Sequence, residues 1–304
     1  MKLTFLVIFL VAVLMLAGTT HVMNKRESVT RKKVSTPVRF DVKDYPEHGI
    51  SLIAPSDPSV AHMIAKLTKS KATPISESYS VILKNTGNQA VVGYRIKWEC
   101  VDSGGAVSAV DTSNIVSWLF LNGEESDRRV ALNTAKEIIK PNSTWLISHN
   151  APARPLESQG DRMDFSATDS DGSSEAEPIR GCVRVTAIAD GIFFDDGTFI
   201  GPDTTNFFTE VKSQMDARRE ILSGIQNDLK AGKNASEIFR GLEKIRDQET
   251  VRLGDHPTPD EFRTYFRNIF AQDVLGDKEL WGPDKALQTV QQQLSKQWVS
   301  LRKL

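Results

Sequence analysis

The sequence predicts an α+β protein organised by segments, in which an antiparallel β-sandwich precedes an all-α C-terminal region. Two observations support this prediction. Between residues 79 and 200, short runs with two-residue hydrophobic periodicity are separated by turn residues, as in antiparallel sheets. From Thr204 onward, apolar residues instead recur every three to four positions, which is the spacing of amphipathic helices. With 304 residues, the chain can hold two folding units behind a short leader.

The N-terminal segment, residues 1–19, predicts a signal peptide or an N-terminal membrane anchor. Lys2 precedes an apolar run from Leu3 to Ala17, the order found in secretory leaders. The run is short for a spanning helix and no Ala-x-Ala cleavage signal follows it, so cleavage and retention both stay open. Basic residues after the run, such as Lys25 and Arg26, favour a cytoplasmic flank by the positive-inside rule. We nevertheless predict export, by analogy with the usual role of leaders of this pattern.

The remaining chain divides into three parts. Residues 20–45 are basic and nearly free of hydrophobic periodicity, which predicts a flexible linker. The sandwich is assigned to residues 46–202 and about four helices to residues 203–304. Since 38 Lys and Arg residues nearly balance 39 Asp and Glu residues, the net charge is -1 and we predict no nucleic-acid partner. Membrane contact is predicted only through the N-terminal segment.

The strongest β signal lies between Tyr79 and Cys100. Its second strand places Arg95 and Lys97 on a face predicted to be wet, and alternating apolar residues on the other face. An Asp-Asp-Gly turn at residues 195–197 predicts a hairpin. The apolar face of the second strand is predicted to comprise Val92, Tyr94, Ile96, Trp98 and Cys100, and further β-rich stretches are at residues 115–121, 144–148, 182–194 and 198–200.

The stretch VILKNTGNQAVVGYRIKWEC, residues 81–100, resembles the paired strands around an Asn-Thr-Gly turn in bacterial Ig-like, adhesion-type cell-surface modules. The resemblance implies an Ig-like antiparallel β-sandwich that serves as a binding or spacer module on an exported protein. It carries over no site residue. The chain departs from true Ig domains, in which the core Trp follows the first Cys by about a dozen residues. Here Trp98 comes two residues before Cys100.

The two cysteines, Cys100 and Cys182, form a possible structural disulfide, because an even count is typical of exported proteins. Strand parity argues against the bond. Cys182 alternates in register with Arg184 and Thr186, whereas the more apolar residues have the opposite parity. A bulge or an edge position would have to bring both sulfurs to one face. The disulfide and two buried free thiols therefore stay as alternatives.

The C-terminal region predicts four amphipathic helices. Thr258 and Glu261 form a capping box around Pro259, which marks the start of the third helix. We expect the helices to pack together or against the sandwich, and a partner-binding surface or oligomer seam is the alternative. The apolar positions that define the helices run from Phe207 to Leu229, from Ile238 to Ile245, from Phe262 to Phe270 and from Leu287 to Leu301.

Acidic residues cluster around the predicted hairpin. Paired carboxylates can serve acid–base chemistry, so an envelope hydrolase using Asp190, Asp195 and Asp196 is one alternative function. Turn chemistry explains Asp195 and Asp196 more simply, and Asp203 lies in the same cluster. A second acidic stretch, residues 169–175, resembles a fragment of a calcium loop without its spacing, and we interpret it as a solvated loop.

No enzyme motif emerges from the chain, which has no Gly-x-Ser-x-Gly elbow, Walker loop, His-Glu-x-x-His or Cys-x-x-Cys pattern. We therefore predict no catalytic residue, cofactor or metal site. The leader and the sandwich pattern together predict an extracytoplasmic protein, tethered or secreted, that binds or scaffolds a protein of the cell envelope. The partner would contact the sandwich or the C-terminal helices. A structural spacer without a specific ligand is the third hypothesis.

Overall fold

The computed structural model describes residues 38–54, 56–60, 80–117, 139–148, 151–155, 182–248, 252–254 and 257–304. All of them belong to one compact unit, Pro37–Leu304. The fold of the described residues is α+β, as predicted, with two sheets followed by helices. The elements are β1 Arg39–Lys43, β2 Ile50–Ile53, β3 Ser80–Asn85, β4 Val91–Asp102, β5 Val107–Val116, β6 Thr144–Ser148, β7 Ala151–Pro155, β8 Cys182–Phe194, β9 Thr198–Ile200, α1 Phe207–Lys230, α2 Ala235–Gln248, α3 Pro259–Trp281, α4 Pro283–Ser295 and β10 Arg302–Lys303.

The long strand β8 organises the first sheet, whose order is β10-β9-β8-β4-β5. On one side, β8 pairs antiparallel with β4 along most of its length. On its other side, it pairs parallel with β1 in its first half and antiparallel with β9 at its end. The second sheet has the order β2-β3-β6-β7 and is antiparallel throughout the described strands.

One hydrophobic cluster takes side chains from both sheets. Trp98 of β4 is fully buried within it, and Phe40 of β1 meets the Trp98 ring edge-on at a centroid distance of 6.3 Å. The predicted inward face of β4 is confirmed for Tyr94, Ile96, Trp98 and Cys100. The second sheet contributes Ile50, Leu52, Val81, Leu83 and Ile147, and β8 contributes Val185, Ala187, Ala189 and Ile192.

A second cluster lies between the helices and the opposite face of the first sheet. Phe193 and Phe199 belong to the sheet, and Phe207 and Val211 of α1 pack in the same cluster. Val92 also belongs here rather than to the predicted inward face, because the β4–β8 register shifts between Val91 and Gly93. Strand β8 is therefore covered on both faces near its end, which explains its nearly continuous apolar sequence.

Three finer predictions about the fold are wrong. The Ig-like antiparallel description is not supported, because β1 pairs parallel with β8 and β10 pairs parallel with β9. The C-terminal region is not all-α, since β10 joins the first sheet. The predicted linker contains β1, whose alternating Phe40 and Val42 pack against the cluster between the sheets.

The helix predictions differ mainly at the last helix. The capping box of α3 is confirmed: the Glu261 N–H donates to Thr258 Oγ1, and the Thr258 N–H donates to the Glu261 carboxylate. Helix α4 ends at Ser295 instead of running through Leu301. The chain beyond it is extended, because Lys296 already has strand-like backbone angles and the following residues pair with β9.

The predicted transmembrane helix is not supported. In the part of the chain that the structure describes, no helix combines the length and the apolar character that a membrane span needs. Helices α1 and α3 are 24 and 23 residues long, but both carry many charged side chains. The segment for which we predicted a signal peptide or anchor, residues 1–19, lies outside the described residues.

Candidate functional site

The predicted acidic cluster centres on Asp190, which occupies a β-bulge of β8. On β4, Arg95 pairs with Gly191 and Ile96 pairs with Ala189, so Asp190 is the extra residue of its strand. Bulges re-aim a side chain away from the regular alternation. Here the bulge directs the fully buried Asp190 carboxylate to the loop that precedes α1.

Asp190 accepts four hydrogen bonds from two consecutive threonines. The backbone N–H and the hydroxyl of Thr204 donate to Oδ1 at 2.9 and 2.6 Å. The same groups of Thr205 donate to Oδ2 at 3.0 and 2.6 Å. Burial alone would raise the pKa of Asp190, but these hydrogen bonds together hold it below its ordinary value. The carboxylate therefore stays ionised at neutral pH and fixes the entry of α1 to the sheet.

The other carboxylates of the cluster contact different groups. Asp196 accepts a hydrogen bond from the Thr198 N–H at 2.9 Å. It also forms an ion pair with Arg302 at 2.5 Å. Asp203 accepts the Phe208 N–H at 3.0 Å, which satisfies a donor in the first turn of α1. Asp195 is exposed in the hairpin turn.

Asp190 differs from the paired carboxylates that acid–base hydrolysis uses. Asp190 lies in β8, whereas Asp195 follows the end of that strand at Phe194 and belongs to the hairpin turn. At a strand rise of about 3.3 Å per residue, the five positions between them correspond to a backbone separation of roughly 15 Å. Acid and base pairs in glycoside hydrolysis, for comparison, are about 5 to 10 Å apart. A buried carboxylate that already accepts four hydrogen bonds is also a weak proton acceptor. This arrangement supports a structural role for Asp190.

Arg95 is a second connection between the sheet and α1. Its Nη2 donates to Glu210 at 2.7 Å, and its guanidinium lies 4.4 Å from the centroid of the Phe207 ring. We predicted that Arg95 lies on a wet face, but it is only 7% exposed because α1 covers this part of β4. In the sequence, only the apolar residues around Arg95 could have indicated that it is buried. They do not identify α1 as the element that covers it.

Gly191, beside the bulge, allows the close approach of two aromatic rings. A Cβ at this position would lie 2.7 Å from the Phe199 ring and 2.8 Å from the Phe207 ring. Those rings belong to an aromatic group in which Phe193 and Phe199 have centroids 4.7 Å apart. Only glycine therefore lets the helix approach the sheet this closely.

We expect Gly191→Ala to lower the free energy of unfolding by about 1 to 3 kcal/mol, the usual cost of overpacking a core. Urea denaturation followed by circular dichroism measures the change. Gly224→Ala is the matched control, because Gly224 lies in α1 with open space around its Cα. That control should stabilise the protein by up to about 1 kcal/mol, since alanine favours helix. Equal stability of the two variants would contradict the packing argument.

The cysteines that we identified as a possible pair, Cys100 and Cys182, are joined by a disulfide with a Cα–Cα distance of 5.5 Å. Both are buried, at 6% and 7% exposure. The bond joins β4 to its neighbour β8 in the same sheet, whereas the disulfide of Ig domains crosses between sheets. Val101 pairs with Arg184 and Asp102 with Cys182, so the register shifts at this point.

Exposed apolar side chains mark the last turn of α3. Leu280 and Trp281 are 49% and 58% exposed, and we call them the Leu280–Trp281 patch. The turn is followed by Gly282, whose positive φ of 83° ends α3, and by Pro283, where α4 begins. Trp is enriched among the residues that dominate protein interfaces. The sequence analysis did not identify this patch, although the Trp-Gly-Pro break was visible there.

The acidic stretch at residues 169–175 lies outside the described residues. Among the residues that are described, no group of three or more metal-ligating side chains converges. Comparisons with protein-family models, with curated proteins and with solved structures give no match for this chain.

Proposed function

We propose that this protein is a non-enzymatic binding or scaffold module of an extracytoplasmic assembly, in which the two sheets form a β-sandwich that carries the helices. The observation that carries the proposal is that the carboxylates of the acidic cluster hold neighbouring elements of the fold together. Asp190 accepts hydrogen bonds from the segment that leads into α1, Asp203 accepts one from Phe208 in the first turn of α1, and Asp196 forms an ion pair with Arg302. These side chains stabilise the contact between sheet and helices, which suits a rigid display scaffold.

An oxidising compartment is part of the proposal. The Cys100–Cys182 disulfide is buried and joins two central strands, which is typical of a permanent structural bond rather than a catalytic one. Structural disulfides persist outside the reducing cytosol. The disulfide thus supports an extracytoplasmic location.

We propose that a protein partner contacts the Leu280–Trp281 patch. The two side chains are adjacent, large and well exposed on a helix end whose other face is packed against the helical core. Their surroundings are charged, with Lys278 and Glu279 next to them in the chain. An apolar centre with a charged rim is the usual composition of a protein interface.

Site-specific crosslinking tests the contact. A photoreactive residue in place of Trp281 should give one reproducible adduct in the native host fraction, and unlabelled wild-type protein should compete it away. The matched control carries the same residue in place of Lys230, which is exposed at the end of α1, and should not give that adduct. If both positions give the same adducts, or neither gives one, the spacer hypothesis is favoured over the binding module.

A further inference from the structure

The residues after α4 form an extended segment that returns to the first sheet. We call residues 296–304 the C-terminal strap. Trp298, Val299 and Leu301 are partly buried against the helical core. Beyond them, β10 pairs in parallel with β9: the Arg302 N–H donates to the Gly197 carbonyl at 3.1 Å, and the Leu304 N–H donates to the Phe199 carbonyl at 3.0 Å. The strap thus adds the last strand to this edge of the sheet.

Two cationic side chains of the strap are recognised by acidic residues beside β9. Arg302 forms an ion pair with Asp196 at 2.5 Å and donates to Thr198 Oγ1 at 2.8 Å. Lys303 forms an ion pair with Asp203 at 3.0 Å. The edge of β9 therefore selects a segment with two consecutive cations by charge complementarity as well as by backbone pairing.

Gly197 shapes the same edge. Its φ is +84°, and a Cβ there would overlap the Ser300 carbonyl oxygen and lie 2.6 Å from Val299 Cγ1. The absence of a side chain at Gly197 lets the strap approach the hairpin turn closely. The edge of β9 is thus a binding site for an added strand, and we call it the acceptor edge; the strap is the strand that occupies it.

We expect the acceptor edge to be open for a time during folding. The pairing of β8 with β9 is local, across a hairpin turn, and needs only a short loop closure. The strap contacts that hairpin across a sequence separation of about a hundred residues, as in the Arg302–Asp196 bond with its separation of 106. Contacts that distant in sequence must overcome a larger loop-closure entropy, so we expect them to form after the hairpin. An exposed edge is meanwhile available to any strand that fits it.

We propose that the edge of β9 also accepts the C-terminal strap of a second copy of this chain, which gives a dimer by strand exchange. The strap makes the same bonds whether it comes from its own chain or from another. The exchange needs only a change of direction after α4, where Lys296 is already extended. This inference uses a different surface from the Leu280–Trp281 patch and does not depend on it.

A charge-reversal pair of full-length chains tests the exchange. In Asp196→Lys, the acceptor repels its own Arg302; in Arg302→Glu, the strap is repelled by its own Asp196. A heterodimer of the two restores opposite charges at both exchanged contacts. We therefore expect each variant alone to be mainly monomeric after refolding, and the co-refolded mixture to contain a heterodimer, measured by size exclusion with light scattering.

Wild-type protein gives the second readout. Its dimer fraction after refolding should rise in proportion to chain concentration while the dimer is the minor species, as mass action requires. Circular dichroism of each variant confirms that the chains are folded. A co-refolded mixture that contains no more dimer than either variant alone would overturn the proposal, as would a wild-type dimer that persists when residues 299–304 are deleted.

Discussion

Removal of the disulfide should produce the largest loss of stability of any change considered for this protein. We expect Cys100→Ala with Cys182→Ala to lower the free energy of unfolding by about 4 to 5 kcal/mol, the value for a closed loop of this length in the chain-entropy model. The bond joins residues 82 positions apart, so its loss frees a long segment of the unfolded chain. Urea denaturation of the variant and the wild type under non-reducing conditions measures the difference.

A reductant provides the control for this prediction. Dithiothreitol should destabilise the wild type and leave the double alanine variant unchanged, because the variant has no remaining thiol. Mass spectrometry of the wild type from its native fraction should show two alkylated cysteines after reduction and none before. Alkylation of both cysteines without reduction would contradict the bond and the oxidising compartment together.

The disulfide also illustrates how far strand parity can be read from a sequence. Regular alternation along β8 puts Cys182 on the face opposite to Cys100. A disulfide between them therefore requires a bulge, as the sequence analysis stated. The register shift supplies it: β8 uses one more residue than β4 between Arg184 and Cys182, and the extra residue, Val183, is 43% exposed. The position of a bulge depends on cross-strand packing. The sequence therefore shows that the disulfide needs a bulge, but it does not show whether the bulge is present.

Strand and helix existence were predictable where one periodicity was strong and local. Strand β6, strand β8 and the capping box of α3 match the predicted positions. The errors occur where distant elements decide the outcome. Trp298 and Leu301 continue the helical spacing of α4, yet the backbone there is extended because β9, a hundred residues earlier, offers hydrogen-bond partners. Tertiary contacts override local propensity at such positions.

The candidate site failed for a related reason. Asp190, Asp195 and Asp196 are close in sequence, but Asp190 lies within β8 and the other two follow its end. Asp190 and Asp196 accept hydrogen bonds from different donors. The true contacts of Asp190 are Thr204 and Thr205. In the sequence, Thr204 marked only the change from sheet to helix, and Thr205 carried no prediction. No sequence motif links two adjacent hydroxyl residues to an acidic residue fourteen positions earlier, so this contact could not be predicted.

Asp190→Asn should lower the free energy of unfolding by about 2 to 4 kcal/mol at pH 7, because hydrogen bonds to a buried charged group are strong and an unmet buried donor is costly. Asn keeps one acceptor oxygen and turns an NH₂ group toward Thr204 or Thr205, which both donate. The hydroxyl of that threonine can rotate and accept from the NH₂ group, but its backbone N–H loses its acceptor and is left facing a donor. Urea denaturation at pH 7 gives the size of the effect.

The pH dependence gives a sharper test of the same contact. Because the folded pKa of Asp190 is lower than its ordinary value, its contribution is fully present above an unfolded pKa of about 3.9 and is lost as the pH falls through the folded pKa. The wild type and Asp190→Asn should therefore differ at pH 7 and converge in strong acid. Asp195→Asn, in the exposed turn, is the matched control and should have the same free energy of unfolding as the wild type at pH 7. A constant difference between the wild type and Asp190→Asn across this range would mean that the stabilisation comes from the shape of the side chain and not from its charge.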